Sequence, residues 1–293
     1  MGATQAPPVP QAPYGQAGYG QQPYGQYGQQ VPGRAPGPVI DPQGGWGSQP
    51  QNMTNEQLQQ MYNQPAAGPA DTGRMTYDDV IVKTAACLGV LLAGAAVTLF
   101  VSMGLASMLM IVGALGGFVL ALVNTFKKQP SPALILAYAG LEGLFLGGLT
   151  RILDGMFPGV GLQAVIGTLS VFTVTLVLFK SGKVRATPKA MKFFMIAMIG
   201  YALFSVVNLV LMMTGLQTDM FGLRSGWVGV AIGILAIGLA AFSLIMDFTS
   251  IEAGVQSGAP QRFSWTAAFG LTVTLVWLYV EIIRLLAILR GDE

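Results

Sequence analysis

The sequence of 293 residues contains no histidine, a single cysteine and only 10% charged residues. Without histidine, the chain cannot form a zinc site of the usual His/Cys kind or a histidine-based catalytic triad. The lone Cys87 excludes a disulfide within the chain, and we interpret it as a small residue packed in an apolar helix. The chemistry of this chain therefore rests on its carboxylates and on the few cations near them.

Residues 1–73 differ in composition from the rest of the chain. A Tyr-Gly-Gln unit repeats in QAPYGQAGYGQQPYGQYGQQ, and sequence rich in Pro and Gly follows it. Because few aliphatic side chains are present to form a core, we predict a disordered tail that acts as a solvated tether. Its start has no charged stretch followed by an apolar run, so we expect no cleavable signal peptide.

Long apolar runs replace the polar composition in residues 74–293. Hydrophobic residues make up 53% of the whole chain, and runs of about 18 or more apolar residues are typical of transmembrane helices. Polar breaks such as Lys127-Lys128-Gln-Pro130 divide these runs. The sequence therefore predicts an all-α membrane protein with seven transmembrane helices near residues 81–103, 106–126, 132–153, 159–179, 190–214, 226–251 and 264–289.

Basic residues are distributed unequally between the two ends of the predicted helices. The side shared by the N-terminus and the even-numbered helix ends carries most of them: Arg34, Arg74, Lys83, Lys127, Lys128, Lys180, Lys183, Arg185, Lys189, Lys192 and Arg262. Arg151, Arg224 and Arg290 fall on the other side. Since cytoplasmic loops carry an excess of Lys and Arg, this bias predicts a cytoplasmic N-terminal tail and a C-terminus outside.

Carboxyl groups inside the apolar spans are the strongest functional signal in the sequence. Glu142, Asp247 and Glu281 all lie within predicted helices, where a charge costs on the order of 3 kcal/mol or more. Such groups usually face the protein interior and mark an ion or proton path. Two structural alternatives stay open: Glu281 can pair with Arg284 three residues later, and a protonated Asp247 can donate to a backbone carbonyl.

Three stretches of the chain resemble motifs of the Bax inhibitor-1 family. They are YAGLEGLFLG at residues 138–147, SLIMD at 243–247 and LYVEIIRLL at 278–286. The resemblance spans roughly residues 74–290 and is closest to the bacterial members. It implies a Bax inhibitor-1-like bundle of seven helices, with the last helix at its centre, in a bacterial plasma membrane.

The same resemblance implies a pH-dependent calcium leak across the membrane. An acidic pair from the sixth and seventh helices serves the family as pH sensor and gate, and a basic residue near the cytoplasmic end of the second helix latches onto it. Carried over, the pair is Asp247 and Glu281, and the latch is Lys127 or Lys128. Glu281 stands where the family usually has Asp, and the lysines stand where Arg is often found.

Calcium is the one metal that this interpretation involves, as a permeant ion or as an ion bound by Asp247 and Glu281, because Ca²⁺ favours carboxylate and carbonyl oxygens. No other cofactor is expected.

Two carboxyl groups close together in a medium of low dielectric cannot easily both ionise, so they would share one proton. With a rise of 1.5 Å per residue, however, straight and upright helices would not bring Asp247 and Glu281 together. Helix tilt, or a seventh helix that begins inside the membrane, could close the gap.

Other functions remain open at this point. We expect no enzyme, because the second acid lacks the Gly-x-Gly-Asp context of intramembrane aspartyl proteases and neither HExxH nor GxSxG occurs. The alternatives are a non-transporting regulator of membrane proteases or stress responses, with the tail as docking segment, and a proton-coupled carrier of a small solute. The expected partners are the lipid bilayer, cations and, for the regulator, a membrane protease; no nucleic acid is expected.

Overall fold

The computed structural model of the chain describes Gln59 and residues 73–182, 184–216 and 219–291. Except for Gln59 and Gly73, the predicted tail lies outside the described residues. The described part is helical and contains no extended strand. Its long helices are α1 Tyr77–Phe100, α2 Met103–Phe126, α3 Pro132–Met156, α4 Val160–Lys180, α5 Pro188–Met213, α6 Gly226–Gln256 and α7 Ser264–Gly291.

The predicted all-α architecture with seven transmembrane helices is confirmed. Each helix is long and apolar enough to cross a membrane, whose hydrocarbon core is about 30 Å thick. The break between the first two spans, predicted at residues 104–105, lies earlier, since Val101 and Ser102 alone separate α1 from α2. Helix α6 is longer than predicted: it continues to Gln256, past its predicted end at residue 251.

Local sequence explains where several helices begin. The hydroxyl of Thr76 accepts a hydrogen bond from the Asp79 amide at 3.1 Å and so caps the start of α1. Thr187 caps α5 in the same way. Pro132 and Pro188 occupy the first positions of α3 and α5, where the missing amide of proline costs no helical hydrogen bond.

The last helix, α7, lies at the centre of the bundle. It packs against α1, α3, α4 and α6 and is the most buried of the seven helices. Leu278 and Ile283 on α7 are fully buried. By contrast, α5 buries just Phe194 and Asn208 along its length. The fold therefore surrounds α7 with protein and leaves α5 mostly facing outward, as a lipid-exposed helix would.

Two glycines of α3 allow it to lie directly against α1. A Cβ atom added to Gly143 would sit 2.1 Å from the carbonyl oxygen of Leu91, and one added to Gly147 would sit 2.1 Å from Oγ1 of Thr98. Side chains at these positions would force the two helices apart. This is the close backbone approach that small residues provide between membrane helices.

The two ends of the bundle are tied by different contacts. At the end where α1 begins, which we call the basic end, the Met75 amide donates to the Ala259 carbonyl at 2.7 Å. Lys83 there donates to the carbonyl of Gln261 at 3.2 Å. At the opposite end, which we call the C-terminal end, Arg151 donates to the Thr98 carbonyl at 2.6 Å. The start of α1 is thus joined to the α6–α7 connection, while Arg151 covers the carbonyl end of α1.

Candidate functional site

Asp247 lies on the side of α6 that faces α7. The Thr274 hydroxyl of α7 donates to its Oδ2 at 2.7 Å, and the Ser243 hydroxyl lies 3.3 Å from that of Thr274. A Cβ atom on Gly270 would come within 3.2 Å of Oδ1, so the carboxyl group rests against bare backbone of α7. In the described ranges, no lysine or arginine forms an ion pair with Asp247. Its surroundings are hydroxyl groups rather than cations.

Glu281 occupies a different environment on α7. Its side chain is 3% exposed, and Arg284 Nη1 donates to both carboxylate oxygens at 2.9 Å. The Tyr201 hydroxyl of α5 donates to Oε1, and Arg224 Nη1 lies 3.5 Å from the same oxygen. The local pair of Glu281 with Arg284, one of the alternatives from the sequence, is therefore formed, and a second arginine joins it.

Arg224 reaches Glu281 because the chain folds back before α6. The short 3₁₀ turn Gly222–Arg224 lies against the start of α6, and a Cβ atom on Gly229 would sit 1.9 Å from the Arg224 carbonyl oxygen. Asn208 of α5 holds this turn, since its Oδ1 accepts from the Leu223 amide at 2.7 Å. A glycine on α6 and an asparagine on α5 thus fix the position of the arginine.

The guanidinium group of Arg224 is buried among polar and aromatic side chains of α5. It donates to the Ser205 hydroxyl at 2.5 Å and to the Tyr201 hydroxyl at 3.0 Å. Its carbon also lies 4.9 Å from the centre of the Tyr201 ring and 5.4 Å from that of Phe204, within range of cation–π attraction. Together, Glu281, Arg284, Arg224, Tyr201 and Ser205 form what we call the arginine cluster.

A cavity of about 410 Å³ lies beside the arginine cluster. The members of the cluster and Asn208 supply its polar lining. The rest of the lining is mostly apolar and includes Leu209, Met212, Phe221 and Trp277. The cavity therefore combines two guanidinium groups, one carboxylate and several hydroxyl or amide groups with an apolar surface.

The structure places Asp247 and Glu281 in separate surroundings, so the pair that the resemblance implies does not share a pocket. Thr274, which binds Asp247, is seven residues from Glu281 on α7, a rise of about 10 Å. The physical reason is the register of two antiparallel helices. Asp247 lies nine residues before the end of α6, whereas Glu281 lies 17 residues after the start of α7. Neither helix tilt nor a late start of α7 closes this gap. The roles assigned to the two residues remain predictions.

The predicted latch is likewise not formed. Lys127 and Lys128 are exposed at the basic end, just after α2, and in the described part of the chain neither forms an ion pair. The cations at Glu281 are Arg224 and Arg284 instead. The reason is again depth, because Glu281 lies in the half of the bundle nearer the C-terminal end.

Glu142 lies in a third environment, separate from those of Asp247 and Glu281. It is buried in α3, and a Cβ atom on Gly117 of α2 would sit 2.7 Å from its Oε1. The carboxyl group therefore fits against the bare backbone of α2, at the interface of α2 and α3. The expectation that intramembrane acids face protein holds for Glu142 as it does for Glu281.

A shared calcium site does not fit the observed positions. Ca²⁺ takes six to eight oxygen ligands, and the described residues contain no group of three or more Asp, Glu, His or Cys side chains that could hold a metal ion. Asp247 offers one carboxylate with two neighbouring hydroxyl groups.

Sequence reasoning missed the participation of Tyr201, Ser205, Asn208 and Arg224. In the sequence, Arg224 contributes only to the charge bias that predicts membrane orientation. A signal was nevertheless present in α5, since positions 201, 205 and 208 recur at helical spacing in an otherwise apolar span. This polar stripe faces the arginine cluster.

Comparison with known proteins agrees with the three sequence motifs. A family model described as Bax inhibitor 1 like matches residues 33–291 of the chain. This match covers all seven helices. None of the curated proteins compared matches the chain.

Proposed function

Because the chain belongs to the Bax inhibitor 1 like family, we propose that it is a pH-dependent leak pathway for cations, including Ca²⁺, along α7. One observation carries the proposal: two carboxyl groups lie at different depths along α7, and they have opposite electrostatic surroundings; Asp247 contacts α7 from α6, and Glu281 on α7 contacts α5. Asp247 contacts hydroxyl groups, while Glu281 contacts two arginines. The proposal assigns no catalytic activity to the chain.

Asp247 is the cation-binding group in this proposal. An ionised carboxylate with the Thr274 and Ser243 hydroxyl groups beside it presents oxygen ligands of the kind that hard cations prefer. A protonated carboxyl group would bind a cation much more weakly. The leak should therefore rise with pH as Asp247 loses its proton, and it should be lowest in acid.

The arginine cluster is the barrier in this proposal. Its two guanidinium groups exceed the single carboxylate by one positive charge, and fixed positive charge in a pore repels cations. Glu281 lowers this barrier when ionised. Removing its charge should therefore reduce cation flux, while Asp247 would still determine its pH dependence.

Calcium flux into liposomes tests the proposal. Purified protein is reconstituted with a calcium-sensitive dye inside the vesicles, and the rate is measured over a pH series. We expect Asp247→Asn to abolish the pH dependence and Glu281→Gln to lower the rate with the pH dependence retained. Glu252→Gln is a matched control, since Glu252 lies on α6 and pairs with Arg185 away from both sites.

Two outcomes would contradict this function. An unchanged pH profile in Asp247→Asn would remove Asp247 as the cation-binding group. A wild-type protein that passes no ion, but that is recovered from its own membrane with a membrane protease, would favour the regulatory alternative.

We also propose a bacterial plasma membrane location with the basic end in the cytoplasm. Lys127, Lys128, Lys180 and Arg185 are exposed at or near that end, and cytoplasmic segments are enriched in such residues. Labelling with a membrane-impermeant thiol reagent tests this orientation in a Cys87→Ala background. We expect intact cells to label Gly291→Cys and not Lys128→Cys; the reverse pattern would invert the orientation.

A further inference from the structure

The arginine cluster carries more positive charge than its own carboxylate neutralises. Arg224 and Arg284 contribute two positive charges, and Glu281 contributes one negative charge. The Arg224 residue is 6% exposed, so water can compensate little of its charge. A buried unbalanced charge is costly unless a further group pairs with it.

The cluster also has hydrogen-bond donors to spare. Within the described residues, the buried Nε of Arg224 has no hydrogen-bond partner. Both bonds from Arg284 to Glu281 use the same nitrogen, Nη1. Because a guanidinium group has five N–H donors, Arg284 can bind a second anion through its other nitrogens without releasing Glu281.

The cavity beside the cluster has the shape and chemistry for such an anion. Its volume of about 410 Å³ is within the range of small-molecule sites. Its lining includes the two arginines together with apolar side chains such as Met212 and Trp277. Leu209, which also lines it, is 57% exposed, so the cavity borders the outer surface of α5, where lipid chains would lie.

We propose that this cavity binds an amphiphilic oxyanion, namely a phosphate or carboxylate group attached to a short apolar body. The oxyanion would accept hydrogen bonds from Arg224 and Arg284, since guanidinium groups match phosphate and carboxylate geometry. The apolar body would contact Trp277 and Met212. The ligand is a phospholipid headgroup with the start of its acyl chains, or a soluble anion of the same chemistry.

The anion site shares Arg224 and Arg284 with the proposed barrier, but its test does not depend on the cation leak. Binding is measured on purified protein without any flux, so its failure and the failure of the leak are separate results.

Isothermal titration calorimetry of the full chain in a non-ionic detergent tests the proposal with three probes. Hexyl phosphate represents the soluble anion, dihexanoyl phosphatidic acid represents the lipid, and hexanol is the neutral control with the same apolar body. We expect at least one anionic probe to bind with a stoichiometry of one, and hexanol not to bind. Binding of phosphatidic acid alone would identify a lipid site, and binding of hexyl phosphate would show that the soluble anion suffices.

Two substitutions with opposite expected effects on affinity distinguish anion binding from a structural role of the cluster. One removes a positive charge and the other removes a negative charge. Arg284→Gln removes one cation and should weaken binding by about tenfold or more. Glu281→Gln removes the competing carboxylate and should strengthen binding, because the cavity then carries two unopposed positive charges. Arg290→Gln is the matched control, since Arg290 lies on the same helix and donates to the Pro158 carbonyl outside the cavity.

The proposal does not depend on a variant of the buried Arg224, which could fail to fold. It is overturned if no anionic probe binds the wild-type chain. It is also overturned if Arg284→Gln and Glu281→Gln shift the affinity in the same direction, or if hexanol binds as well as the anions.

Discussion

Asp247 contacts α7 from α6, and Glu281 on α7 contacts α5; the protein accommodates these two carboxylic acids in different ways. Glu281 contacts two arginines and a tyrosine hydroxyl, whereas Asp247 contacts hydroxyl groups and bare backbone. The first arrangement holds a charge in place by ion pairs. The second pairs the carboxyl group with no cation among the described residues. Residue type alone therefore does not define the role of an intramembrane acid, and its partners do.

The largest difference in stability should appear when each of the two acids is replaced by alanine. Glu281→Ala leaves two buried or partly buried guanidinium groups without their carboxylate, which should lower the free energy of unfolding by about 3 kcal/mol or more. Asp247→Ala leaves just hydroxyl groups, which can bond to their own helix backbone, so it should cost clearly less. Thermal unfolding in detergent measures both.

Equal losses from Glu281→Ala and Asp247→Ala would contradict the difference between the two environments. Arg290→Ala serves as a control for loss of a charged side chain from the same helix, because Arg290 is near the end of α7 and hydrogen-bonds to the Pro158 carbonyl.

A smaller loss of stability should come from substituting Gly229, which packs against the backbone of Arg224. A Cβ atom on Gly229 would sit 1.9 Å from the Arg224 carbonyl oxygen, so Gly229→Ala must displace the turn and should destabilise the fold by roughly 2 kcal/mol. Gly238→Ala is the matched control on the same helix, where an added Cβ meets nothing within 4 Å. We expect Gly238→Ala to be neutral or slightly stabilising, since alanine favours helix. Identical unfolding midpoints for the two variants would disprove this close approach.

The smallest effect should come from the two lysines at the basic end. Lys127 and Lys128 are exposed and form no ion pair in the ranges that the structure describes. The double substitution Lys127→Gln and Lys128→Gln should leave both the unfolding midpoint and the pH profile of calcium flux unchanged. A shifted pH profile would restore one of these lysines as the latch.

Much of the fold could be predicted from the sequence because apolar length and polar breaks determine where helices cross a membrane. The spans at 132–153 and 226–251, for example, begin at the residues where α3 and α6 begin. Helix counting also revealed that upright helices would keep Asp247 and Glu281 apart. These properties are local, or depend only on rise per residue.

The arginine cluster could not be predicted in the same way. Arg224 lies in a connection between helices, and its side chain reaches Glu281 through a turn held by Asn208 and Gly229. The turn depends on contacts with both neighbouring helices, and it brings Arg224 to a residue 57 positions later in the sequence. The polar stripe of Tyr201, Ser205 and Asn208 indicated a buried partner, but it did not identify which one.

A double-mutant cycle of Asp247→Asn and Glu281→Gln tests most directly whether the two acids occupy separate sites. The free energy of unfolding is measured for the wild type, both single variants and the double variant in the same detergent. Sites about 10 Å apart without shared partners should give additive effects, with an interaction energy within about 0.5 kcal/mol of zero. An interaction energy well above about 1 kcal/mol would instead mean that the two carboxyl groups share one pocket and titrate together.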